Sequence, residues 1–224
     1  MHSSKRLLTT LSVTIFSINL LFSGQIQAKQ ENNDLMSFAI LGAISSFGLA
    51  CYQGKAPCTL EPGIDTDKLI YSLDIGADRS AKQTSIAIGA DWKEPVFEAD
   101  SWSVTGRLEG RLHQWYSTLS HANNKSGYML GIAPVFNYQP RNYSISSTGL
   151  VPFAEMGGGP YLMDNITVED EYKSTQFQFG SIFGFGVKNK DLELTYRYLH
   201  ISNAGIEMPN PGTDFHSIHL GYRF

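Results

Sequence analysis

From residue 69 to the C-terminus, apolar and polar positions alternate with a period of two. In the last segment the even positions Ile218, Leu220, Tyr222 and Phe224 are apolar, and the odd positions Ser217, His219, Gly221 and Arg223 are polar or small. Before it, Leu192, Leu194, Tyr196 and Tyr198 alternate with Glu193, Thr195 and Arg197. Phe177, Phe179, Phe183, Phe185 and Val187 form a third row, and Tyr128, Leu130, Ile132, Phe136 and Tyr138 a fourth. Trp102, Val104, Leu108 and Leu112 oppose Thr105, Arg107, Glu109, Arg111 and His113. Tyr71, Leu73, Ile75 and Ala77 make a further row, as do Ile86, Ile88, Ala90 and Trp92. Residues 151–161 are a weaker case, because Gly157, Gly158 and Gly159 blur the phase. This periodicity places apolar side chains on one face of a strand. The rows number about eight, run roughly ten residues each, and are punctuated by Gly, Asn, Asp, Ser and Pro. Nothing after residue 50 approaches the roughly 18 apolar residues of a membrane-crossing helix.

Two architectures share this pattern. A soluble β-sandwich buries the apolar faces, whereas an outer-membrane barrel turns them to lipid and lines its interior with the polar ones. Three features favour the barrel. Arg107, Glu109, Arg111, Glu193 and Arg197 share the polar phase and can pair inside a narrow lumen. Tyr and Trp fall near strand ends, where interface girdles form. The chain ends on an alternating strand whose last residue is Phe224, a form typical of bacterial outer-membrane barrels. The expected fold is therefore all-β, an eight-stranded antiparallel transmembrane β-barrel of the bacterial outer membrane, with an interior filled by side chains.

Ahead of the barrel, residues 1–28 read as a secretory signal peptide. Lys5 and Arg6 precede an apolar run, and Ala28 supplies a small residue at the cut. An uncleaved anchor and a lipoprotein signal ending at Cys51 fit less well. Residues 29–68 form an N-terminal extension that the pattern leaves open as a periplasmic segment, a helix lying on the barrel or an extra strand. It holds both cysteines, Cys51 and Cys58, which would close a short loop in an oxidising compartment. The barrel itself is expected over residues 69–224.

Composition agrees with alternation. Of 224 residues, 42% are hydrophobic and 12% aromatic but only 17% charged, below the roughly 25% of a soluble domain. Mean hydropathy is nevertheless only -0.16. So many aromatics exclude disorder, and a formal net charge of -4 excludes a basic nucleic-acid binder.

One polar cluster sits on the wrong phase. His200 and Ser202 share the even face with Leu192, Leu194, Tyr196 and Tyr198, and Asp214 opens the even phase of the next strand. Polar groups facing lipid are costly. A turn at residues 203–213 can bring Asp214 beside His200. Serine, histidine and carboxylate together allow acyl transfer: a base activates the hydroxyl and the acid holds the imidazole tautomer. Backbone and side-chain amides of Asn203, Gly205 and Asn210 are available to a developing oxyanion or for positioning. Among other polar residues, His113 and His219 fall on the interior phase, and Glu155 can pair with interior arginines. His216 is an alternative partner at the outward site. Asp164, Glu169, Asp170 and Glu171 read as a solvated acidic loop rather than a Ca2+ or Mg2+ site.

The segment His200-Ile201-Ser202-Asn203-Ala204-Gly205, followed by Pro209-Asn210-Pro211-Gly212 and Asp214, resembles the signature of the outer-membrane lipid A 3-O-deacylase (PagL) family. The similarity extends to Thr105-Gly106-Arg107-Leu108, Ala133-Pro134-Val135-Phe136 and Pro152-Phe153-Ala154-Glu155, and so covers the whole expected barrel. The resemblance implies an esterase that works without metal or cofactor on the 3-hydroxyacyl chain of lipid A. Its triad would be Ser202 as nucleophile, His200 as base and Asp214 as orienting acid. The partners it implies are lipopolysaccharide and outer-membrane lipid, with no nucleic acid, and a homodimer is compatible with it. Asp214 departs from the best-known member, which has Glu there. The competing expectations are a non-catalytic small barrel acting in adhesion or envelope structure, and a soluble sandwich esterase.

Overall fold

The computed structural model describes residues 33–54, 58, 63–145 and 149–224. The leader expected at residues 1–28 lies outside them. In chain order the elements are α1 (Asn33–Tyr52), β1 (Ile64–Asp78), β2 (Ala81–Trp92), β3 (Phe97–Glu98), β4 (Trp102–Ser117), β5 (Ser126–Pro140), β6 (Val151–Met163), β7 (Thr167–Val168), β8 (Glu171–Tyr172), β9 (Phe177–Lys188), β10 (Leu192–Ser202) and β11 (Thr213–Arg223). The two-residue strands are accessories: β3 hangs on β4, and β7–β8 make a small hairpin between β6 and β9.

The eight long strands pair antiparallel, each with the next. β11 returns to β1 and β2 pairs with β4, so the sheet closes on itself and has no free edge. β1 starts at Ile64, ahead of the alternating row, with a register irregularity between Ile64 and Leu69.

The two faces are inverted relative to a soluble protein. On the outer phase, Ile75, Ile86, Leu130, Leu162, Phe185 and Leu220 are each half or more exposed. On the inner phase lies a charged network. Arg107 donates from Nε to Glu109 at 2.6 Å and reaches Glu193 at 2.7 Å. Arg197 Nε meets Glu155 at 2.5 Å, and its Nη1 meets Glu109 at 3.2 Å. Arg111 bonds Asp74 and, at 2.5 Å, Glu109. His219 lies between two carboxylates, with Nδ1 at 3.1 Å from Asp74 and Nε2 at 2.9 Å from Glu193. Carboxylates only accept, so both ring nitrogens donate and the ring is an imidazolium. Arg107, Arg111, Arg197 and His219 thus balance Asp74, Glu109, Glu155 and Glu193. The interior roles expected for His219 and Glu155 are the ones they occupy, and His113 is inside too, bonded to Gln83 at 3.1 Å.

Toward the end of the barrel where β1 turns into β2, the lumen becomes apolar. Trp115, Met129, Tyr161, Ile182, Leu199, Ile201 and Phe215 fill it and are nearly inaccessible.

The extension left open by its pattern contains a helix. α1 lies on the outer face of β5, β6 and β9. Gly42 permits this, since a Cβ there would sit 2.2 Å from Met156 Sδ. Tyr138 OH donates to the Gly42 carbonyl at 3.0 Å and lies 2.5 Å from Ser46 Oγ. At the far end Ala50 is fully buried among Trp92, Val96, Val104 and Phe136. Gly54, at φ 67, then ends the helical path, and Cys51 is disulfide-bonded to Cys58 with Cα atoms 4.9 Å apart. No described helix is long and apolar enough to cross a membrane.

Replacing Arg107 by Met leaves Glu109, Glu155 and Glu193 short of a counter-charge at a site only 1% exposed. Breaking such a buried network costs about 3–5 kcal/mol. The expected result is a clearly lower urea midpoint in detergent micelles, followed by the mobility shift between folded and heated barrel on gels. An unchanged midpoint would show that the network does not stabilise the lumen.

Candidate active site

The register of one hairpin builds the site. In the β10–β11 ladder His200 stands directly opposite Asp214, and both point outward. Facing residues of an antiparallel pair have Cβ atoms about 4.5–5.5 Å apart, close enough for a short side chain to bridge. His200 Nδ1 and Asp214 Oδ1 are 2.6 Å apart. The aspartate therefore reaches the ring across the hairpin despite its short side chain. The same Oδ1 accepts a hydrogen bond from Tyr198 OH at 2.7 Å. A carboxylate at Nδ1 keeps the proton there and leaves Nε2 with its lone pair, the form a general base needs. Nε2 makes no hydrogen bond to any described residue.

Ser202 is the next outward position on β10 after His200 and is 8% exposed. Adjacent same-face positions on a strand are separated by about 6.5–7 Å at Cα. The Ser202 hydroxyl makes no hydrogen bond to His200 or to any other described residue. The fold thus joins His200 to Asp214 and sets Ser202 beside them on one face, without closing a Ser202–His200 bond.

The turn at residues 203–212 is held by its own amides. Asn203 donates its backbone N–H to Asn210 Oδ1 at 3.0 Å and its side-chain amide to the Glu207 carbonyl at 2.7 Å. Gly205, at φ 78, donates its N–H to Asn203 Oδ1 at 2.9 Å. Asn203 and Gly205 are thereby engaged in shaping the turn. The Asn210 amide nitrogen has no partner among the described residues, while its oxygen is fixed. His216 is engaged elsewhere: its Nδ1 lies 2.5 Å from Tyr196 OH, and Tyr198 packs against its ring.

Two contributors escaped the reading of the sequence. Tyr198 looked like one more lipid-facing aromatic, and only the β10–β11 register puts its hydroxyl on Asp214. Gly212 looked like a turn residue. It in fact backs the His200 ring, since a Cβ at Gly212 would lie 2.4 Å from His200 Cε1. The acidic loop is partly tied down: Glu169 accepts from Ser80 at 2.8 Å and Ser117 at 2.5 Å, and Asp170 accepts from the Asn123 N–H at 2.9 Å. Among the described residues no three acids, histidines or cysteines converge as a metal site would require.

A closed eight-stranded barrel with an apolar exterior defines the class of outer-membrane barrels, and this one carries a histidine–carboxylate pair beside a serine on that exterior. Residues 83–223 match the family model described as Lipid A 3-O-deacylase (PagL), and the chain belongs to that family. It is accordingly an ester hydrolase of the outer membrane. The lipid A deacylase PagL of Pseudomonas aeruginosa is 27% identical over 187 residues, covering 82% of this chain and 95% of the relative. The Bordetella bronchiseptica protein of the same name is 35% identical over 78 residues, 34% of this chain and 44% of that protein. The crystal structure of the outer-membrane enzyme PagL shares the fold at a TM-score of 0.59 and 24% identity, covering 68% of this chain and 98% of that one.

Gly212→Ala tests the packing behind the histidine. The added methyl must displace the ring, and a misplacement on the order of 1 Å costs roughly a hundredfold in rate. Ester hydrolysis in micelles should fall by about that factor while the folded-barrel mobility is kept. A wild-type rate would mean that the His200 pose is not the working one.

Proposed function

We propose that this protein hydrolyses the ester holding the 3-hydroxyacyl chain at position 3 of lipid A, with Ser202, His200 and Asp214 as its triad. The observation that carries the reading is the 2.6 Å His200–Asp214 bond on the lipid-facing surface, one same-face position from Ser202. Membership in the family supplies the substrate class.

The reaction follows from the groups at hand. Rotation of Ser202 brings Oγ to His200 Nε2, which takes its proton as Oγ attacks the acyl carbonyl carbon. Negative charge develops on the carbonyl oxygen. The Asn210 side-chain N–H, unpartnered among the described residues, is the donor assigned to it, with the Asn203 N–H holding the Asn210 oxygen and the Gly205 N–H in turn holding Asn203. Asp214 stabilises the imidazolium electrostatically without taking its proton. His200 then protonates the sugar 3-oxygen as the C–O bond breaks, leaving the acyl group on Ser202. Water, deprotonated by the same nitrogen, attacks the acyl-enzyme, and His200 returns that proton to Ser202 Oγ as the acyl C–Oγ bond breaks and the hydroxy fatty acid leaves. Tyr198 holds Asp214 Oδ1 throughout and so keeps the acid in line with the ring.

The site opens sideways to the membrane, so a lipid reaches it by lateral diffusion. No internal pocket is required, and the filled lumen offers none.

Mass spectrometry of lipid A decides the matter. Cells producing the wild-type protein should lose one hydroxyacyl mass from lipid A, and cells producing Ser202→Ala should not. Unmodified lipid A in both, with the barrel folded in the outer membrane, would overturn the assignment and leave a non-catalytic barrel.

A further inference from the structure

Lys173 is the one lysine in the loop between β6 and β9, and its side chain is only 2% exposed. A buried ammonium requires acceptors. It has three: Glu171 Oε2 at 2.7 Å, the Pro211 carbonyl at 2.7 Å and the Gly212 carbonyl at 3.2 Å. The last two belong to the turn between β10 and β11. Further bonds join the same two loops. Ser174 Oγ donates to the Pro209 carbonyl at 2.6 Å, and Asn203 Nδ2 donates to the Lys173 carbonyl at 3.2 Å. The turn that carries the Ser202–Asp214 chemistry is thus pinned from a separate loop, across more than thirty residues of sequence.

The pinned residues are the ones that matter to the histidine. Gly212 is the residue behind the His200 ring, so its carbonyl cannot shift without moving that backing. We propose that Lys173 is a positioning residue for the deacylation reaction, clasping Pro211 and Gly212 so that His200 keeps its working pose. The proposal rests on the triad reading given above. It assigns to the β6–β9 loop a role in catalysis at a site to which it contributes no reacting atom. The charged groups facing the ammonium are Glu171 on β8, Asp78 at the end of β1 and Asp214 on β11. Burial is the largest influence on it and pulls its pKa below the ordinary lysine value, against the opposing pull of Glu171. The clasp therefore loosens at a pH below that at which a solvated lysine titrates.

The test uses the full-length protein in mixed micelles with lipid A, comparing Lys173→Met and Lys173→Arg with wild type and Ser202→Ala. Lys173→Met should lower kcat by roughly ten- to a hundredfold with little change in KM, while the folded-barrel mobility is retained. Lys173→Arg should restore most of kcat at neutral pH. It should also move the alkaline fall in activity to higher pH, because a guanidinium stays charged. A lysine that only fills space, its charge playing no part in holding the turn, would not shift that limb. The clasp is overturned if Lys173→Met keeps the wild-type kcat, or if the alkaline limbs of wild type and Lys173→Arg coincide, while Ser202→Ala is inactive. Full activity in Ser202→Ala would overturn the triad itself and the clasp with it.

Discussion

Three guanidinium groups lie inside this barrel, each at most 3% exposed. The rest of the structure depends on their being paired, because each unpaired buried charge would cost about 3–5 kcal/mol, a large share of the roughly 5–15 kcal/mol net stability of an ordinary domain. Four carboxylates and the doubly bonded ring of His219 surround them, and the cluster as a whole is neutral. This requirement sets which face of each strand points inward. A one-residue slip of β4 or β10 would send arginines to lipid and leucines to the network.

Once the inner face is fixed, the place of the chemistry follows. The lumen is taken up by the network at one end and by Trp115, Tyr161 and Phe215 at the other. On the proposed reading, Ser202 and His200 therefore act from the outer face. There they would meet a lipid substrate directly, and the strand end would give them water from the bulk. The sheet also supplies the precision. His200 and Asp214 are held by the same hydrogen-bonded ladder that closes the barrel, so their separation is a property of the register rather than of a mobile loop.

Much of this was legible in the sequence, since an alternating pattern has only two phases. Arg107, Glu193 and His219 on one phase and His200, Ser202 and Asp214 on the other sufficed to predict the faces and the meeting of His200 with Asp214. The hidden parts depend on long-range contact. Lys173 in an acidic stretch reads as a solvated charge, and only the meeting of two loops buries it. Tyr198 is chemically a girdle residue until Asp214 arrives opposite. α1 was undecided for a different reason: its residues are apolar on nearly every side, with Phe38 and Leu41 outward and Ala50 inward, so no periodicity announced which face would pack. The Ser202–His200 bond is a further case. Residues two apart on a strand must share a face, but rotamers decide whether they touch.

The filled lumen has a consequence at the scale of the cell. A wide barrel with an open lumen passes ions and small solutes through the envelope. A barrel whose core is a neutral, close-fitted salt adds catalytic surface without adding permeability. Each copy placed in the outer membrane therefore leaves that membrane's duty as a barrier intact.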